Sequence, residues 1–214
     1  MIKKIYINLI KFYICRIKRL GLPYGLRYRQ LYELIKENKT QNILEIGVHN
    51  GENAIRMINV NKDISVNYFG IDLFEDITDE LYKNEIAIQP SPLEIVKKKL
   101  KNNTNSKTQL FKVNTMKIND KFLNKLPKMD LIFIDGGHSI ETQRNDWNLA
   151  KKLMHKKTLV IIDDYWNLPN TGCSFLIEEL NRNFDYKILP ITDYFLKDWG
   201  VLSTQFLLIT YKNQ

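Results

Sequence analysis

Apolar and polar positions alternate along this chain in two rhythms. Short runs rich in Ile, Leu, Val and Phe recur between longer stretches whose apolar residues lie three and four apart. The first rhythm predicts buried strands and the second amphipathic helices. Strands are predicted at 42–47, 67–72, 110–113, 130–135, 158–163, 186–189 and 205–211. Helices are predicted at 52–59, 92–101, 118–126, 139–155 and 172–183. Ser91-Pro92-Leu93-Glu94 reads as a capping box with proline at the first helical position. Upstream, 1–20 places Ile2, Ile5, Tyr6, Leu9, Ile10, Tyr13, Ile17 and Leu20 on one helical face and most basic residues on the other. Gly21-Leu22-Pro23 ends that helix, and a second is predicted over 25–38. Strands alternating with helices predict an α/β fold, a mostly parallel sheet with helices on both faces. Two long irregular stretches, 76–89 and 192–200, have the length of lids.

At 214 residues the chain suits one domain. The net charge of +8 divides it further. Residues 1–29 hold eight basic residues and no acidic one, whereas the remainder carries 24 of each sign. The expected organisation is therefore a basic amphipathic arm over 1–38 and a neutral domain over 39–214. A neutral domain argues against nucleic acid as a partner. The arm has three readings: a helix packed on the domain or on a second copy in a homo-oligomer, a peripheral contact of 1–20 with an anionic membrane, or, least favoured, a nucleic-acid contact. Two cysteines in unrelated contexts form no disulfide framework. No apolar run reaches the ~18 residues of a membrane span, and no cleavage site follows the first basic pair. The expected location is the cytoplasm, with the inner membrane face as the arm's alternative.

Chemistry concentrates at strand ends. The runs Ile132–Ile134 and Val160–Ile162 stop abruptly at Asp135 and Asp163, with His138 and Asp164 following closely. Neighbouring parallel strands, ~4.8 Å apart, bring such ends into one crevice. Three carboxylates there repel one another unless a cation neutralises them, and hard oxygen ligands suit Mg²⁺ or Mn²⁺. Asp135, Asp163 and Asp164 are thus candidate metal ligands. Asp163 and Asp164 are adjacent, so both reach one ion only if the strand ends between them. His138 is the candidate general base, either beside a metal or in a metal-free site. Earlier, the strand 42–46 enters a Gly47-x-x-x-Gly51 turn and then a helix. The next strand ends in Asp72, an acid placed to hold ribose hydroxyls. Glu45 lies just before the turn. It would repel a pyrophosphate but favour an ammonium or a sulfonium, so S-adenosylmethionine (SAM) is expected over a dinucleotide.

The segments ILEIGVHNGENAIRM, YFGIDLF, DLIFIDGGHSIETQRNDW and TLVIIDDYW resemble class I SAM-dependent methyltransferases over about 40–170. The nearest likeness is to small-molecule and sugar O-methyltransferases with an Asp-x-x-His then Asp-Asp signature. The resemblance implies a Rossmann-like, doubly wound, seven-stranded sheet, mostly parallel with the last strand antiparallel. It implies that Gly47, Asn50 and Gly51 line the methionine part of SAM, that Asp72 holds the ribose, and that Asn114 lies near the adenine. Glu45 and Asp135 complete the expected cofactor set. Asp135, Asp163 and Asp164 would hold a divalent ion that also binds the acceptor hydroxyl, of a sugar, glycan or other small molecule, while Asp135 and His138 carry the chemistry. A nucleic-acid methyltransferase and a non-catalytic SAM-binding or membrane-associated module are the alternatives.

Overall fold

A computed structural model describes residues 25–61, 63–85, 89–180 and 183–212. The expected helix over 1–20 lies outside the described residues. The first described helix, α1 (Arg27–Glu37), is followed by β1 (Asn42–Ile46), α2 (Glu52–Asn59) and β2 (Asn67–Asp72). Next come α3 (Asp79–Glu85), α4 (Leu93–Asn103), β3 (Lys107–Lys112), α5 (Asp120–Leu123) and β4 (Met129–Ile134). Then follow α6 (Ile140–Leu153), β5 (Met154–Trp166), α7 (Leu176–Glu179), β6 (Phe184–Ile188), β7 (Asp193–Lys197) and β8 (Gly200–Tyr211).

These strands form one sheet in the order β3-β2-β1-β4-β5-β8-β6, with β7 paired to β8. β1 through β5 are parallel to their neighbours, and β8 runs antiparallel to β5, β6 and β7. The doubly wound, mostly parallel fold expected from the sequence is therefore present. The differences are local. The stretch 192–200 is a hairpin rather than an irregular loop, because β8 starts at Gly200 and pairs back on Asp193–Lys197. The predicted helix at 172–183 shrinks to the four residues of α7. The segment 76–89 contains α3. The capping box is not formed: Pro92 is the N-cap and its side chain has no atom to accept a capping bond, and Glu75 Oε2 instead accepts from the Leu93 N–H at 2.8 Å. Among the described residues no helix is long and apolar enough to cross a membrane.

The strands' period of two sorts their side chains into two cores. Leu44, Ile46, Ile132, Ile134, Val160 and Ile162 face α6, where Trp147, Leu149, Ala150 and Leu153 are buried. Ile43, Leu131, Phe133, Ile161 and Phe206 face α1, α2 and α4, meeting Tyr28, Leu31, Ile35, Met57, Val96 and Leu100. Full burial of an aliphatic side chain such as Leu31 or Ile35 is worth roughly 1.5–3 kcal/mol, which holds α1 on the sheet. The same alternation puts Glu45, Asp135 and Asp163 on the α1 face.

The strand ends are joined by the glycine turn. Gly47 has φ +92° and its N–H donates to the Ile71 carbonyl at 2.9 Å. A Cβ there would lie 2.0 Å from the Asp135 carbonyl oxygen. Gly47→Ala therefore meets both a left-handed backbone and a backbone clash, and should cost more than about 2 kcal/mol. Urea unfolding checks this; a midpoint equal to that of the parent protein would contradict the account.

Candidate active site

At the carboxyl ends of β1, β2 and β4 lies an open cleft. Of the residues expected to bind SAM, Gly47, Asp72, Asn114 and Asp135 line it, together with His49, Leu73, Met116 and Asp146. The turn presents little free backbone. The Val48 and His49 N–H groups donate to Asp72 Oδ2 at 2.7 and 2.8 Å, and Phe74 N–H donates to Asp72 Oδ1 at 2.7 Å. Asp72 is thereby fixed at the cleft wall, and ribose hydroxyls would use its remaining lone pairs. The Asn114 side chain accepts from Met116 N–H, capping a short 3₁₀ turn over Thr115–Lys117.

Three expected cofactor residues are not on the cleft wall. Asn50 and Gly51 sit at the start of α2, where Asn50 Oδ1 accepts from Glu52 N–H and its carbonyl from Lys99 Nζ. Glu45 is the larger departure. It is buried on the α1 face, where the Tyr68 hydroxyl donates to it and Asn53 Nδ2 donates at 2.7 Å. Tyr32 in turn donates to Asn53 Oδ1 at 2.9 Å. The pleat directs Glu45 into the α1 core, which its position beside the glycine turn does not disclose.

The crevice brings Asp135 and Asp163 together, since Ile134 and Ile162 are paired in register. The hydroxyl of Tyr28 sits between them, 2.8 Å from Asp135 Oδ2 and 3.1 Å from Asp163 Oδ2. Arg27 completes the cluster. Its Nε and Nη2 donate to the two oxygens of Asp163 at 3.0 and 2.6 Å, and its Nη1 donates to Asp193 Oδ2 at 2.8 Å. Burial alone would lower the Arg27 pKa, but Asp163 outweighs it and the guanidinium is held charged. Burial, then repulsion from Asp163 and Asp164, pushes the Asp135 carboxyl well above the ordinary carboxylate range.

Asp164 takes a different direction. The ladder between β5 and β8 is irregular between Ile162 and Tyr165, and Asp164 has φ +65°. That left-handed residue breaks the pleat and sends its carboxylate to His138, whose Nε2 lies 3.0 Å from Oδ2. The His138 carbonyl accepts from Gly172 N–H and the Thr171 hydroxyl, both at 2.8 Å, and its ring lies 5.1 Å from that of Trp166. Burial disfavours the imidazolium, but the Asp164 carboxylate beside it outweighs burial and raises the His138 pKa.

This arrangement does not fit a divalent ion. Both Asp163 oxygens already accept from a guanidinium, and Asp164 faces an imidazole. A dication about 4 Å from Arg27 would be repelled by about 8 kcal/mol at an effective dielectric of 20. Among the described residues no three His, Cys, Asp or Glu side chains gather as a metal site. In the sequence Arg27 is one of the eight basic residues of 1–29, and neither it nor Tyr28 and Asp193 carries a local signal for the site, because their partners lie on other elements.

A sheet of this order with a glycine turn over a cleft, an acid closing β2 and an acid-rich crevice beyond β4 and β5 defines a SAM-dependent methyltransferase of the class I fold. The chain belongs to the family described as Methyltransferase domain, which matches residues 44–165. No curated protein sequence matches the chain. Similar solved structures include the O-methyltransferase TomG from Streptomyces achromogenes in complex with SAM, 14% identical with a TM-score of 0.58, over 92% of this chain and 86% of that one. An O-methyltransferase from Bacillus cereus in complex with SAH is 15% identical with a TM-score of 0.57, over 95% and 90%. The SAH-bound methyltransferase PaMTH1 of Podospora anserina is 13% identical with a TM-score of 0.59, over 91% and 84%. At these identities the likeness is one of fold.

Glu45 gives the site's stability a pH signature. Burial pushes its carboxyl up to about 8 against the hydrogen bonds from Tyr68 and Asn53. Between about 4.5 and 8 the unfolded chain has released this proton and the folded chain keeps it, so stability falls as pH rises through that window. Glu45→Gln removes the titration. Its stability relative to the parent should improve by on the order of 2–4 kcal/mol between pH 5 and pH 8. Urea titrations at both pH values check this, and a difference that does not change with pH would contradict it.

Proposed function

We propose that the protein transfers the methyl group of SAM to a hydroxyl of a sugar or other small molecule, with His138 as general base. The observation that carries this reading is the His138–Asp164 pair, 3.0 Å apart, with His138 directly following Asp135, Gly136 and Gly137 of the cleft wall. SAM-bound and SAH-bound neighbours of the same fold support the donor.

In this reading SAM lies along Gly47, Asp72 and Asn114, with its sulfonium methyl toward Asp135. His138 keeps its proton on Nε2, the nitrogen 3.0 Å from Asp164 Oδ2, which leaves the Nδ1 lone pair to accept a proton from the acceptor hydroxyl. The oxygen attacks the methyl carbon as the carbon–sulfur bond breaks, and that bond's electron pair stays on sulfur. The products are a methyl ether, SAH and a proton on His138. Asp164 stabilises the imidazolium, and no covalent enzyme intermediate forms. The metal-assisted deprotonation expected from the sequence finds its carboxylates already engaged, so no step is routed through a metal.

Release of SAH against a panel of hydroxylated small molecules tests the chemistry. His138→Ala should lower kcat by about 10²- to 10⁴-fold while leaving SAM affinity by calorimetry unchanged. The active form needs neutral His138, whose pKa is raised above 6.5. The parent's kcat/KM should therefore rise with pH through a midpoint above 6.5, and Asp164→Asn should move that midpoint down. Undiminished turnover in His138→Ala, or an unmoved midpoint in Asp164→Asn, would remove His138 from the mechanism.

A further inference from the structure

Arg27 occupies the position that a cation in this crevice would need. Its guanidinium meets Asp163 through two parallel N–H···O bonds, Nε to Oδ1 at 3.0 Å and Nη2 to Oδ2 at 2.6 Å. Its third donor is spent on Asp193 at 2.8 Å, and Asp193 also accepts from the backbone N–H groups of Leu26 and Arg27 at 2.8 and 3.2 Å. The rings of Tyr28 and Phe206 flank it at 4.8 and 5.4 Å. Arg27 and Asp163 are 6% and 1% exposed, so neither side chain trades its partner for water. A planar fork bound in this bidentate way uses the carboxylate lone pairs that a hard divalent ion would take. Tyr28, the next residue of the same helix, fills the gap between Asp163 and Asp135.

We propose that Arg27 is a resident cation that replaces a divalent ion in this methyltransferase, and that Asp135 and Asp163, bridged by the Tyr28 hydroxyl, form a latent cation site exposed only when the guanidinium is removed. The charge of the crevice is then neutralised by the fold itself and needs no exchangeable ion. An acceptor need not offer two adjacent oxygens for chelation, and a single hydroxyl within reach of His138 suffices. Helix α1 becomes part of the site, since its first turn supplies both Arg27 and Tyr28. Arg27 acts here as a positioning residue through Asp163 and Tyr28.

The assignment of the crevice to the acceptor side rests on the proposed O-methyl transfer, but ion binding is read without turnover. Mn²⁺ titrations of the full chain followed by electron paramagnetic resonance provide that readout, with circular dichroism to confirm folding. The parent protein should bind no Mn²⁺ that depends on Asp163. Arg27→Ala should gain one Mn²⁺ per chain, with at least about a 30-fold rise in affinity, and Arg27→Ala/Asp163→Asn should lose it again. EDTA should leave the parent's SAH release unchanged. Mn²⁺ binding by the parent that Asp163→Asn abolishes would overturn the proposal, and so would a folded Arg27→Ala that binds none. The first of these decides the matter even where Arg27→Ala fails to fold. Arg27→Lys adds an independent arm. It keeps the charge without the fork, and should bind Mn²⁺ more weakly than Arg27→Ala; equal binding would count against the charge substitution. Absence of SAH release with every acceptor would count against the proposed function alone.

Discussion

The structure depends on one buried ion pair, Arg27 with Asp163. Parallel strands β4 and β5 end side by side, and their registered ends place Asp135 against Asp163 on the sheet face covered by α1. Carboxylates buried this way are tolerated only when a cation and hydrogen-bond donors meet them. The first turn of α1 supplies both, a guanidinium from Arg27 and a hydroxyl from Tyr28. Asp193 then anchors the other side of the guanidinium and the start of the helix. The helix is therefore held twice, by its apolar stripe of Leu31 and Ile35 against the sheet and by this ionic clasp.

That clasp separates two functions within one run of acids. Asp135 and Asp163 follow the pleat toward α1, whereas Asp164 leaves it through a left-handed backbone and faces His138. Gly172 supports the turn from behind, with φ +72° and no room for a Cβ beside the Asp164 carbonyl. Adjacent aspartates thus serve a structural ion pair on one side and an imidazole on the other. Glu45 follows the same pleat into the α1 core, which explains why a residue beside the glycine turn meets Tyr68 and Asn53.

Much of this was legible in the sequence. Runs such as Ile132–Ile134 and Val160–Ile162 carry their own signal, because buried parallel strands are continuously apolar. The glycine turn and the acid of Asp72 mark the cleft by local chemistry, and both stand there. The hairpin at Asp193–Lys197 was not legible, since its strand character comes from pairing with β8 and its exposed residues lack alternation. Arg27 was illegible for a related reason. Its partners lie 136 and 166 positions away, and nothing in the sequence of the arm distinguishes it from the other basic residues there. The ends of parallel strands announce that acids gather, but the cation that neutralises them comes from tertiary packing.

A double-mutant cycle on Arg27 and Asp163, read by urea unfolding, addresses the central interaction most directly. Arg27→Met and Asp163→Asn each leave a buried partner unmatched and should each cost about 3–5 kcal/mol. The double variant should cost less than the sum of the two by at least about 2 kcal/mol, within the coupling range of residues in direct contact. Strict additivity would contradict the account, because it would mean that Arg27 and Asp163 contribute to the fold independently.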